Sequence, residues 1–303
     1  MKKESNIRVG MFRVVGDFAP FVKVDYMDKD AQEHTGLMLL DSGSASNVLS
    51  SEMAERLGML SKVEDETMTL FAFSELNMKT DIVKFSFAFG GKQFRDTFCL
   101  SVNPIPCFVE GMKVLGILGV SFMKQHRLVI DYSDFSIHTS NVNPGNLHIS
   151  DCEFFFPMEI GLKHYEVPVL SVKQNGKDIV TLVDTGASNN MIAEHTLAEN
   201  GFKCQYAEDE KFFISDITGK IEVQEASVRF KIVSLGVNNV FEQVRYDRFA
   251  ILPHNVFTPK EDDCDENGKQ LPPIEVLIGS PFMAEEGWAL DFGAGIIYKR
   301  MAA

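Results

Sequence analysis

Two short segments of this 303-residue chain combine residue types that could do chemistry: Asp41-Ser42-Gly43 and Asp184-Thr185-Gly186. Each carboxylate ends an apolar run, Leu39-Leu40 in one case and Leu182-Val183 in the other, and each is followed by a hydroxyl and a glycine. One such triplet alone fits an ordinary turn, with glycine supplying the left-handed residue. Two of them allow more. Carboxylates held about 3 Å apart cannot both be ionised, so they share one proton, and one can accept a proton while the other donates. That pairing suits attack of water on a carbonyl, where one group removes the water proton and the other protonates the carbonyl oxygen. The glycine in each triplet lets the backbone turn tightly enough for its N–H groups to point at the carboxylates.

The surroundings of the triplets also occur twice. Met38–Asn47 reappears as Thr181–Asn190 at an offset of 143 residues, without a gap as far as Gly58 and Gly201. A second block, Ile117-Leu118-Gly119-Val120-Ser121-Phe122-Met123, matches Leu277-Ile278-Gly279-Ser280-Pro281-Phe282-Met283. Val129-Ile130-Asp131-Tyr132 likewise matches Ala289-Leu290-Asp291-Phe292, and both of these matches have an offset of 160 residues. The second half therefore has 17 extra residues between its blocks. Motifs recurring in the same order mark a duplicated domain, with an expected division into residues 1–143 and 144–303. Thr139–Asn146 reads as the linker.

Both halves are rich in strand signals. Phe21–Tyr26 and Val167–Val172 lead through the polar turns Asp28-Lys29-Asp30 and Gln174-Asn175-Gly176-Lys177 into the strands that carry the aspartates, which is hairpin patterning. A short helix follows each triplet, starting at Ser50-Ser51-Glu52 and ending at Gly58 in the first half, and ending at Gly201 in the second. Val83–Phe89 and Ser227–Ile232 have period-two patterning. The expected fold class is all-β: two small, mostly β lobes, each with one or two short helices.

These motifs resemble the aspartic proteases of the pepsin and retropepsin clan, with both lobes on one chain. The brevity of the lobes resembles retropepsin, and the Asp-Thr-Gly-Ala-Ser-Asn wording resembles a group of bacterial retropepsin-like proteins. The resemblance implies two closed β-barrel lobes related by a pseudo-two-fold axis. It implies catalytic roles for Asp41 and Asp184 and a peptide or protein substrate. Ser42 and Thr185 would bond across between the two loops, while the segments ending in Gly119 and Gly279 pack against them. Ser44 and Ala187 follow the triplet glycines. A Ser44 hydroxyl donated to Asp41 would lower its pKa, while Ala187 offers no such donor and would leave the shared proton on Asp184; an Ala there is similar to the retropepsin loops and, with the cytosol-like cysteine usage, implies a weakly acidic to near-neutral optimum. The substrate-covering flap of each lobe is expected between the blocks, at Phe71 and Phe73 in the first half and at Phe213 and Gly219 in the second. An active endopeptidase is one reading, and a catalytically silent peptide-binding module on the same fold is the other. A two-carboxylate glycosidase would need its carboxyls about 5 Å apart or more, which cross-bonded loops disfavour.

Composition narrows the partners. A net charge of −14 repels phosphate backbones, so nucleic acid is not expected as a partner. No apolar run reaches the roughly 18 residues of a membrane span. No apolar stretch follows Lys2-Lys3, so a cytoplasmic protein is expected, or a periplasmic or exported one if a leader was removed. The five cysteines have no CxxC spacing and the histidines are scattered, so neither a metal nor a cofactor is expected. Asp263-Cys264-Asp265-Glu266-Asn267-Gly268 matches the first half of a calcium loop, but Ile274 stands where the bidentate Glu belongs, and the 261–268 segment reads as a solvated acidic loop. With both triplets on one chain, a monomer is expected to suffice.

Overall fold

In the strand Met78–Phe89, the apolar positions Val83, Phe85, Phe87 and Phe89 all point into the core, as period-two patterning requires. A computed structural model describes residues 6–14, 17–58, 67–70, 78–101, 108–141, 152–157, 166–215, 220–235, 240–260, 263–265 and 267–300. Each half forms one sheet with the same strand path. In the first, the strands run in the order Asp17–Met27, Glu33–Leu40, Met112–Leu118, Val48–Ser50, Lys92–Ser101, Met78–Phe89 and Thr67–Leu70. In the second the order is Val169–Gln174, Lys177–Asp184, Val276–Gly279, Asn190–Ala193, Val240–Leu252, Lys220–Leu235 and Lys203–Ser215. The first sheet closes on itself through the pairing of Asp25 with Ala88. Both halves are thus β-rich lobes, each with two short helices among the described residues: Ser51–Arg56 and Val120–Gln125, then Glu194–Glu199 and Ser280–Glu286.

Both expected hairpins form. Asp17–Met27 pairs antiparallel with Glu33–Leu40, and Val169–Gln174 pairs with Lys177–Asp184. The first helix ends at Leu57, with Gly58 left-handed at φ 66°, and Gly201 has the same role at φ 63°.

A third sheet of six strands joins the halves. Arg8–Gly10, Ser136–Thr139 and Leu128–Asp131 come from the first half; Trp288–Asp291, Ile296–Arg300 and Cys152–Pro157 come from the second. At its centre Ile130 pairs with Leu290, residues that occupy the same place in the duplicated sequence, so the pseudo-two-fold axis passes between them. One face of this sheet, with Leu128, Ile130, Ile137, Trp288, Leu290 and Ile297, belongs to the main core that runs beneath both lobes.

The expected linker begins too early. Thr139 closes a strand, and buried Ser140 donates its hydroxyl to Asp291 at 2.6 Å, which fixes the chain as far as that point. Residues 142–150, which include the expected 143/144 boundary, lie outside the described residues. In the acidic loop, the Asp263 and Asp265 carboxylates accept backbone N–H groups of Lys260, Asn267 and Lys269, the work of turn-capping side chains.

Aromatic packing carries much of the first lobe. Phe87 is 1% exposed and lies with Phe85, Phe94, Phe98 and Phe122 at ring-centroid distances of 5.6–6.1 Å. Phe87→Ala is expected to destabilise the chain by about 3–5 kcal/mol, because the surrounding rings cannot collapse into the space. Urea denaturation followed by fluorescence measures it.

Candidate active site

Two parallel strand pairs, one per lobe, position the aspartates. Met112–Leu118 runs beside Glu33–Leu40, with Leu118 opposite Leu40, and the Asp41 N–H donates to Leu118 O at 3.1 Å. Val276–Gly279 runs beside Lys177–Asp184, with Gly279 opposite Asp184. Each carboxylate therefore leaves the end of a strand that is buried on both faces, the reason Leu39-Leu40 and Leu182-Val183 read as continuous apolar runs.

The two loops meet across the pseudo-two-fold axis. Ser42 N–H donates to Thr185 Oγ1 at 2.9 Å, and the Thr185 hydroxyl donates to Leu40 O at 2.7 Å. In mirror fashion, Thr185 N–H donates to Ser42 Oγ at 2.9 Å, and the Ser42 hydroxyl donates to Val183 O at 2.7 Å. Ser42 and Thr185 are both 0% exposed. The expected cross-bonding is thus present, and each hydroxyl both accepts and donates.

The grip brings Asp41 and Asp184 within hydrogen-bonding reach of each other. Gly43 N–H donates to Asp41 Oδ1 at 2.8 Å and to Asp184 Oδ1 at 3.2 Å, and Gly186 N–H donates to Asp184 Oδ1 at 2.8 Å. A Cβ on Gly186 would stand 2.5 Å from Asp41 Cγ, and one on Gly43 would overlap the Asp184 carboxylate. The glycines are therefore required by the carboxylate of the opposite lobe as well as by their own turn.

Burial pushes both carboxyls above the ordinary carboxylate range, Asp41 well above it, and the neighbouring negative charge of Asp184 raises Asp41 further. A hydrogen bond from Asp41 and the amide N–H groups of Gly186, Gly43 and Ala187 favour the charged form of Asp184, and those of Gly43 and Ser44 favour that of Asp41. The expected donation from the Ser44 hydroxyl to Asp41 is not made. The Ser44 hydroxyl donates to Ser46 O at 2.7 Å, an acceptor offered by its own turn.

Gly119 and Gly279 lie where the crossing segments touch the loops. A Cβ on Gly119 would come within 2.6 Å of Ser44 O, and one on Gly279 within 2.7 Å of Ala187 O. Two residues had no role assigned from sequence: Asn47 and Asn190. Asn47 Oδ1 accepts the Gly119 N–H at 3.0 Å while its Nδ2 donates to Thr97 O at 3.2 Å. Asn190 does the same with Gly279 N–H at 2.9 Å and Arg248 O at 3.2 Å. Their signal was present in the sequence: a buried-type amide repeated at the 143-residue offset.

The flap candidates divide. Thr67–Leu70 and Met78–Phe89 pair as a hairpin, but Phe71 and Phe73 lie outside the described residues, as does Gly219. Phe213 sits near the end of the hairpin formed by Lys203–Ser215 and Lys220–Leu235, and is 66% exposed while its neighbour Ile214 is buried.

Residues 26–122, which contain the first triplet and the Gly119 segment, match the family model described as aspartyl protease. The crystal structure of basic 7S globulin from soybean superposes with a TM-score of 0.50 at 11% identity, covering 99% of this chain and 95% of that one. The chain has the bilobal aspartic-protease fold. No curated protein sequence matches it. In this aspartic-protease-fold chain both lobes contribute one loop to a single carboxylate pair, and no described helix is long and apolar enough to cross a membrane.

Thr185→Val keeps the shape of the side chain but leaves Ser42 N–H and Leu40 O buried without partners. The expected loss is about 1–3 kcal/mol for each orphaned group, with Thr185→Ser restoring most of it, as read from urea midpoints.

Proposed function

We propose that the protein is an aspartic endopeptidase in which Asp41 and Asp184 activate a water molecule between the lobes. The observation that carries this reading is the pair of carboxyls joined over two amide-lined loops, with the hydroxyl grip holding them together. Two raised carboxyls that share a proton supply an acid and a base at once. Asp184, the better-stabilised anion, takes a proton from the water as its oxygen attacks the carbonyl carbon of the peptide. Asp41 gives its proton to the carbonyl oxygen. The tetrahedral diol then collapses, a proton passes to the amide nitrogen, the C–N bond breaks, and an acid and an amine leave.

The state with one shared proton is the working form. Because burial raises both carboxyls, its pH window is displaced above the ordinary carboxylate range, in keeping with a weakly acidic to near-neutral optimum. A single chain holds the whole pair, so a monomer suffices. The silent peptide-binding module remains the alternative that turnover of a mixed peptide library distinguishes.

Asp41→Asn and Asp184→Asn should each abolish cleavage, since either carboxylate alone lacks its proton-sharing partner. The same variants report on stability. A carboxyl with a raised folded-state pKa stabilises the fold most below its unfolded value, about pH 4, and that contribution is lost as pH rises through the raised value. Asparagine stays neutral, so each variant should withstand more urea than the wild type at pH 7, with the gain vanishing toward pH 4. Retained turnover in either variant overturns the assignment.

A further inference from the structure

In each half, the start of the helix that follows Gly119 or Gly279 holds the loop that carries the aspartate. In the first half Val120 N–H donates to Ser44 O at 2.8 Å, and Ser121 N–H donates to Ala45 O at 3.0 Å. Two successive amides thus fasten two successive carbonyls of the Asp41 loop. The Ser44 hydroxyl adds a third brace by donating to Ser46 O at 2.7 Å. Ser44 N–H in turn donates to Asp41 O at 3.3 Å, so the fastened residue is bonded directly to the aspartate.

The second half cannot repeat this pattern. Ser280 takes the place of Val120, and its N–H makes the equivalent bond, to Ala187 O at 2.9 Å. Pro281 takes the place of Ser121 in the first turn of the helix, and a proline has no N–H to give to the carbonyl of Ser188, the counterpart of Ala45. Ala187 takes the place of Ser44 and has no hydroxyl with which to brace the loop from within. Two of the three fastenings are therefore lost. One is gained: Ser280 Oγ donates to Ala187 O at 3.0 Å, a second bond to the carbonyl that its own N–H already holds. Val120 has no hydroxyl to do the same.

Ser280 is firmly seated for this task. It is 0% exposed, and Phe282 and Met283 beside it are buried in the main core. Pro281 fixes the backbone of the helix start at an angle the helix needs. A Cβ on Gly279 would stand 2.7 Å from both Ala187 O and Asn189 O, so helix start and loop touch with no spare room. Ala187 N–H donates to Asp184 O at 3.3 Å. The bonds from Ser280 therefore reach the aspartate through a single residue.

We propose that Ser280 is a positioning residue for Asp184, its hydroxyl standing in for the loop anchor that Pro281 removes. The inference rests on the aspartic-protease reading of the site and adds to it a residue outside both loops. Without that hydroxyl the turn at Ala187 loosens, and its N–H, one of the donors that favour ionised Asp184, faces the carboxylate less of the time.

The test is Ser280→Ala, which keeps the backbone bond from residue 280 to Ala187 O and should fold. Its kcat should fall about three- to tenfold with KM little changed, the size of one neutral hydrogen bond, and the acid limb of the pH profile should move to higher pH. Two measurements need no turnover. Hydrogen exchange at the Ala187 N–H should quicken, and a carbon-13 NMR titration of the aspartate carboxyls should move upward. Adding Pro281→Ser, which restores the amide that Ser121 provides in the first half, should recover most of each change. If the wild type cleaves nothing, the protease reading fails, yet exchange and titration still decide the role of Ser280. Exchange and titration that match the wild type, or changes that Pro281→Ser does not recover, overturn the proposal whatever happens to the urea midpoint.

Discussion

Four hydrogen bonds between Ser42 and Thr185 and the opposite loop hold two carboxyls so close that they cannot both be ionised. Both hydroxyls are wholly buried, each both accepts and donates, and each bond crosses the pseudo-two-fold axis. A buried donor left without a partner costs more than a bond gains, so the arrangement resists partial loosening. The lobes are thereby locked at one relative position near the axis, and the carboxylates have no room to part. The glycines at 43 and 186 follow from the same closeness, because a Cβ on either would meet the carboxylate of the other lobe.

The rest of each lobe keeps its loop from moving. The segments ending at Gly119 and Gly279 run parallel to the strands that deliver the aspartates, and Asn47 and Asn190 fasten the glycine N–H groups on one side and a neighbouring strand on the other. Short side chains bonded at both their donor and acceptor ends make a rigid support, which is what a site with two closely spaced carboxyls needs. Beneath them, the six-stranded sheet draws three strands from each half and packs one apolar face against the common core. The lobes are thus tied twice, by polar contacts at the loops and by sheet pairing below.

Duplication gives the site its near-symmetry, and small departures from it divide the labour between the aspartates. Gly43 N–H reaches both carboxylates, so Asp184 faces one more amide than Asp41 does. Identical loops would leave the shared proton equally at home on either side, whereas this difference makes the two sides unequal.

The sequence by itself determined the duplication, the order of the motifs, the two hairpins and the helix-ending glycines, since each depends on local spacing or turn chemistry that a chain displays wherever it folds. The grip of Ser42 and Thr185 was implied by the resemblance to the aspartic proteases, and the bonds themselves exist only between the closed lobes. Only the folded structure decided how Ser44 is bonded, since its hydroxyl has a backbone acceptor two residues away that competes with the carboxylate, and the loop's conformation hands the proton to that acceptor. The roles of Asn47 and Asn190 were also hidden, because their partners lie at least 50 residues away in sequence. Thr139 and Ser140 read as linker by composition, yet strand pairing and the buried Asp291 hold them in place. Local patterns name the elements, but which donor reaches which acceptor is settled by distances that exist only once the lobes have closed on each other.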